Sequence, residues 1–160
     1  MVDEARLGEF FQRHRLIGID TAIFICQIEG HEKFFEAANR VFTWLEQEPD
    51  AGAVTSTVTM LEVLVQPYRF SDLGRVNSFY ALLSTYPRLR WAAPTLDIAD
   101  KAAQIRAEWN LKTPDAIQAA TALAFQATGF FANDPVFKRV SGLDVLVLKE
   151  LFPDRASSAR

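Results

Sequence analysis

Residues 16–25 read LIGIDTAIFI: a short apolar run, an aspartate, a threonine and a second apolar run. Leu16–Ile19 has the length and composition of a buried strand, and the following AIFICQI reads as an apolar helix. Asp20 stands at the handover between them, where its carboxylate can cap the helix. The same handover recurs at three more acids. Glu62 sits in TSTVTMLEVL, Asp115 in KTPDAIQAATAL, and Asp134 follows GFFAN. In a parallel α/β sheet every strand-to-helix handover lies on one edge, so these four carboxylates are expected to meet there.

Working outward, short apolar runs alternate with helical patterns, the signature of βαβ units. Strands are expected at Leu16–Ile19, Ala53–Ser56, Leu89–Ala92, Gly129–Ala132 and Val145–Leu148. Helical spacing links Phe34, Phe35, Ala38, Val41, Phe42 and Leu45, and again Val76, Phe79, Tyr80 and Leu83; both stripes are expected to be core. A helix from Leu96 to Trp109 has Thr95 as its N-cap, and an Ala-rich one runs from Pro114 to about Ala127, with Gly129 as its stop signal. The expected fold class is therefore α/β, a single three-layer α/β/α sandwich with a central, mostly parallel five-stranded sheet. Residues 1–153 make one domain, of which 1–15 form an N-terminal extension, and 154–160 (DRASSAR) read as a disordered tail.

Composition fits one globular domain. The chain has 160 residues, with 49% hydrophobic and 23% charged content, which excludes a disordered protein. A single cysteine, Cys26, cannot form an internal disulfide and fits a reducing compartment; it reads as a small core residue. No signal peptide or stretch of about 20 apolar residues stands out, so a cytoplasmic protein without a membrane span is expected. The net charge is −3, and setting aside four acids as metal ligands leaves +1, so charge alone does not exclude nucleic acid. Arg69, Arg75, Arg88, Arg90, Lys112, Lys138 and Arg139 are candidates to line a groove or to be scattered surface charge.

Each acid has an ordinary role when taken alone. Asp134 before Pro135 is a good N-cap, Asp115 suits the first turn of its helix, and Thr59-Met-Leu-Glu62 matches a capping box. As a group they conflict with stability. Two unit charges 4 Å apart cost about 4 kcal/mol at an effective dielectric near 20, against roughly 1 kcal/mol from a cap. A cation among them resolves the conflict, and oxygen-only ligands select a hard one, Mg²⁺ or Mn²⁺. Other chemistries lack their residues. There is no GxGxxG, GxxxxGK[ST] or GxSxG, and His14, His31 and Cys26 make no zinc set. Ala22, two residues after Asp20, removes the second acid that a phosphoaspartyl phosphatase would need.

With these segments in hand, the sequence resembles the PIN-domain nucleases, especially the small VapC-type ribonuclease toxins. The likeness spans roughly Leu16 to Leu148 and rests on four segments in order: IGIDTAIFI, TMLEVL, PDAIQAATAL and FFANDPVF. It implies metal-assisted phosphodiester hydrolysis, with Asp20, Glu62 and Asp115 as principal acidic ligands and Asp134 as a fourth that positions a second ion or the attacking water. It implies that Asp20 and Asp115 bind Mg²⁺ or Mn²⁺ directly and Glu62 directly or through water. It implies an RNA substrate, a VapB-type antitoxin covering the acidic groove, and a homodimer. Ala132 stands where many members carry Thr or Ser. A structure-specific DNA nuclease, or a non-catalytic PIN-like nucleic-acid-binding module in which the acids only cap helices, are the alternatives.

Overall fold

A computed structural model describes residues 1–153. The expected tail, 154–160, lies outside the described residues. Five strands, β1 (Leu16–Ile19), β2 (Gly52–Ser56), β3 (Leu89–Ala92), β4 (Gly129–Ala132) and β5 (Asp144–Val147), form one sheet in the order β3-β2-β1-β4-β5. All four pairings are parallel. The chain builds outward from β1 through β2 to β3, then returns to the other side of β1 for β4 and β5. That reversal puts a crevice at the carboxyl ends of β1 and β4, where open α/β sheets bind ligands.

Among the described residues, seven helices flank the sheet: α1 (Glu4–Arg13), α2 (Thr21–Ile28), α3 (Phe35–Gln47), α4 (Val58–Arg69), α5 (Leu73–Ser84), α6 (Leu96–Trp109) and α7 (Thr113–Ala124). Alternation along the strands sorts two cores. Ile17, Ile19, Ala53 and Phe131 face α1, α2 and α3, whereas Val54, Phe130 and Ala132 face α6 and α7. On the second face β1 presents Leu16 and, opposite α7, Gly18. A Cβ there would fall 2.5 Å from Phe130 Cδ2 and 2.7 Å from the Ala122 methyl carbon. Glycine at 18 and the alanines of α7 let helix and strand approach closely, which carries the start of α7 to the end of β1.

Several local expectations need correction. Gly129 does not stop α7; the helix ends at Ala124, Gln126 takes the left-handed turn (φ 62), and Gly129 opens β4. Residue 129 is glycine because the Phe10 and His14 rings lie on its Cα, with a built Cβ 2.8 Å from each. The last strand starts at Asp144, and Leu148 already belongs to a 3-10 turn, Leu148–Leu151. Phe35 and Tyr80 fall off their stripes and are 38% and 56% exposed. The segment before β1 contributes to the first core: α1 buries Leu7 and Phe10, and Asp3 N–H donates to the Leu151 carbonyl at 2.7 Å.

Candidate active site

Asp20 follows the last residue of β1, and its N–H donates to the Phe131 carbonyl at 3.0 Å, locking it between β1 and β4. It occupies the N-cap position of α2 but makes no side-chain capping bond. The side chain is buried at 8% exposure. Burial pushes its carboxyl up from 3.8 to about 7; Asp115 and Glu62 push the same way, and the Thr21 and Ala22 amides pull against them. Asp20 thus combines a buried site, two anionic neighbours and no ion pair among the described residues.

Asp115 is the third residue of α7, in its first turn as expected, and half-buried. The expected strand-to-helix handover is absent there: α7 follows α6 directly, and its packing on β1 brings Asp115 to the sheet edge. Its carboxyl is also raised, first by burial, then by Asp134 and Glu62, with Lys112 opposing. Asp134 is exposed and caps the 3-10 turn Pro135–Arg139, accepting from Val136 N–H at 2.9 Å. Capping and proximity to Asp115 coexist, but Asp134 sits on the rim. Glu62 lies in the second turn of α4, and the capping box is overturned. The helix starts at Val58, so Thr59 is already inside it, and its hydroxyl turns to Thr55 and Gln118. Glu62 Oε1 instead accepts from the Thr21 hydroxyl at 2.9 Å.

The four acids therefore form one electrostatic group, with Asp115 as its hub. Among the described residues no three His, Cys, Asp or Glu side chains already stand as a ready-made ligand set. Mg²⁺ needs only one or two direct carboxylates beside its waters. The donor set fits a hard divalent cation: oxygen only, partly desolvated, and with no ion pair to any of the four acids among the described residues. Elsewhere acids are neutralised, as in Glu150 with Arg6 and Lys138, and Asp144 with Arg13.

Beneath the carboxylates is a feature the sequence reading missed. Thr21, Thr55, Ser56, Thr59 and Gln118 are all 5% exposed or less and hydrogen-bond to one another across α2, β2, α4 and α7. The available signal was a glutamine on the alanine face of α7 and a run of hydroxyl residues closing β2.

Most of the basic candidates are used elsewhere. Arg75 pairs with Asp72, Lys138 with Glu150, Arg88 and Arg139 donate to the Leu45 and Trp109 carbonyls, and Arg90 lies over the Phe125 ring. Lys112 is the one whose charge reaches the site, through Asp115.

The sequence matches the PIN domain family over residues 17–143. The chain belongs to the PIN-domain family. Its fold is also that of solved VapC-type structures. A toxin–antitoxin complex from Klebsiella pneumoniae superposes with a TM-score of 0.60 at 24% identity, covering 81% of this chain and 94% of that one. VapBC2 from Rickettsia felis, bound to a fragment of promoter DNA, gives 0.65 at 16% identity, with 82% and 98% covered. VapC20 from Mycobacterium tuberculosis, a toxin that cleaves the sarcin-ricin loop, gives 0.62 at 18% identity, with 79% and 95% covered. No curated protein sequence matches this PIN-domain chain. No helix among its described residues is long and apolar enough to cross a membrane.

Proposed function

We propose that this PIN-domain chain is a Mg²⁺- or Mn²⁺-dependent endoribonuclease, the toxin of a type II toxin–antitoxin pair acting in the cytoplasm. The observation that carries the reading is Asp20: a buried carboxylate without an ion pair, between β1 and β4, facing the fields of Asp115 and Glu62. Stability alone does not favour that arrangement, whereas a divalent cation would stabilise it. Asp20 and Asp115 would hold the ion, with Glu62 direct or through water and Asp134 at the rim for a second ion or the attacking water.

A divalent cation bound there supplies positive charge to a phosphodiester oxygen and to charge developing in the in-line displacement. The protein's own residues do the rest. The close packing of α7 on β1 fixes the spacing of Asp115 from Asp20. The Thr21 hydroxyl orients Glu62. Because the Asp20 and Asp115 carboxyls are raised, binding a cation there would be coupled to loss of a proton and would weaken as pH falls. Lys112 can meet a neighbouring phosphate from the start of α7.

RNA is chosen over DNA on family kinship, supported by the sarcin-ricin loop that VapC20 cleaves. An antitoxin partner is supported by the complexes among the structural neighbours and by an apolar groove of about 790 Å³ between α4 and α5. Leu61, Tyr68 and Tyr80 line it and are 63%, 59% and 56% exposed, which suits an amphipathic partner segment. A homodimer belongs to the same proposal.

The test is cleavage of RNA and DNA oligonucleotides by the purified chain in Mg²⁺, Mn²⁺ and EDTA, with Asp20→Asn as control. RNA cleavage lost in EDTA and in the variant supports the assignment. Cleavage of DNA alone would select the DNA nuclease, and Mn²⁺ binding without cleavage of either would select a binding module.

A further inference from the structure

The buried hydroxyls beneath the acids permit one assignment of protons. Thr55 Oγ1 lies 2.9 Å from the Ile19 carbonyl, which can only accept, so Thr55 spends its single proton there. The Thr59 hydroxyl, 2.7 Å from Thr55 Oγ1, must then be the donor in that pair. Thr59 has no second proton for Thr21, 3.1 Å away. The Ser56 N–H donates to Gln118 Oε1 at 3.1 Å, which fixes the orientation of the amide. Gln118 Nε2 consequently faces the threonines, donating to Thr59 Oγ1 at 2.7 Å and reaching Thr21 Oγ1 at 3.4 Å. Thr59 receives its proton from Gln118, so the Thr21 hydroxyl stays free to donate to Glu62 Oε1 at 2.9 Å.

We propose that Gln118 is a positioning residue: its amide supplies Thr59 with a donor and thereby leaves the Thr21 hydroxyl to Glu62. Without it, Thr59 Oγ1 is a buried acceptor lacking a donor, and the nearest available proton is that of Thr21. Thr21 then turns inward and releases Glu62. Within this network each threonine hydroxyl has a donor only when Gln118 is present, and Thr21, Thr55, Ser56, Thr59 and Gln118 are all 5% exposed or less, so water does not substitute. The inference deepens the proposed function, since it rests on Glu62 serving a cation.

The test is the Mn²⁺ dissociation constant of the purified chain, by electron paramagnetic resonance, alongside the melting temperature in EDTA. Gln118→Met keeps the shape and removes both donors; it should weaken Mn²⁺ binding about tenfold or more, the usual effect of losing a group that orients a ligand. Thr21→Val should match it, and Thr21→Ser should retain wild-type affinity. Gln118→Met in the Thr21→Val background should cost nothing further. Adding Thr59→Val to Gln118→Met should restore affinity, because the competing acceptor is gone. A merely structural glutamine would instead give additive losses and no rescue.

Wild-type affinity in Gln118→Met, or losses that add to those of Thr21→Val, would overturn the inference while leaving the metal site intact. Should Gln118→Met fail to fold, Gln118→Leu with and without Thr59→Val makes the same comparison. A wild-type chain that binds no Mn²⁺ would instead remove the proposed function, and this inference with it.

Discussion

Gly18 and Ala122 meet so closely that a Cβ on Gly18 would lie 2.7 Å from the Ala122 methyl carbon. Here β1 touches α7, and Asp20 lies two residues beyond Gly18 while Asp115 sits in the first turn of the same helix. The distance between the two acids is thus set by a contact that carries no charge. Gly18→Ala should lose about 1–3 kcal/mol of stability through overpacking, measured by urea denaturation. It should also weaken Mn²⁺ binding, because α7 must move away from β1. An unchanged dissociation constant would show that the spacing of Asp20 and Asp115 tolerates that movement.

The pH dependence of stability in EDTA follows from Asp20. Its carboxyl is raised from 3.8 to about 7 on folding, so between those values the folded chain holds a proton that the unfolded chain has lost. Stability therefore falls as pH rises from about 4 to about 7, by on the order of a few kcal/mol, and levels off above. Asp115, raised as well, adds in the same direction. Asp20→Asn should flatten the profile and raise the melting temperature at pH 7.5 in EDTA, while abolishing Mg²⁺-dependent cleavage. A melting temperature that falls would favour a capping role for Asp20.

At the opposite edge of the sheet, His14 joins α1 to β5. Its Nε2 is 2.6 Å from Asp144 Oδ2, and its Nδ1 is 2.8 Å from the Thr128 hydroxyl. Burial works to raise the Asp144 carboxyl, but hydrogen bonds from His14 and Arg13 outweigh it and hold it below its usual value. Phe10→Ala, which opens a cavity between α1 and the sheet, should cost about 3–5 kcal/mol by denaturation. His14→Ala should destabilise the chain while leaving Mn²⁺ affinity unchanged, since the acids lie at the other end of the strands. Removal of residues 1–15 should prevent stable folding, readable by circular dichroism.

The groove between α4 and α5 makes a separate prediction. Leu61 is 63% exposed, so Leu61→Glu should change stability by no more than about 0.5 kcal/mol and leave RNA cleavage intact. If the proposed antitoxin places an amphipathic segment in this groove, the same change should abolish its inhibition, measured in a cleavage assay. Full inhibition of Leu61→Glu would move the partner elsewhere.

Much of the architecture could be read from local pattern. β1, β3 and β4 and the helix Leu96–Trp109 fall on the expected residues, and Thr95 caps that helix by accepting from Ile98 N–H at 3.2 Å. Such features depend on neighbours a few positions away, as do an Asp beside a Pro and a helix that starts at Thr-Pro-Asp. The errors lie where distant residues compete for the same atoms. Thr59 looked like a helix cap because Glu62 follows three places later; Thr55 and Gln118 claimed its hydroxyl instead. Gly129 looked like a helix stop, yet it is glycine because Phe10 and His14 press on it.

By itself the sequence offered the candidate acids and set Asp20, Glu62 and Asp134 after strands, because order along the chain is legible locally; Asp115 has no such handover, since α7 follows α6 directly. It also determined the parallel sheet that sends those handovers to one edge. Only the tertiary structure decided how the acids relate: Asp20 buried, Asp115 linking its neighbours, Glu62 held by Thr21 and Asp134 left at the rim. Desolvation and hydrogen-bond direction are set by what surrounds an atom in space, and Gln118 lies 97 positions from the threonine it serves.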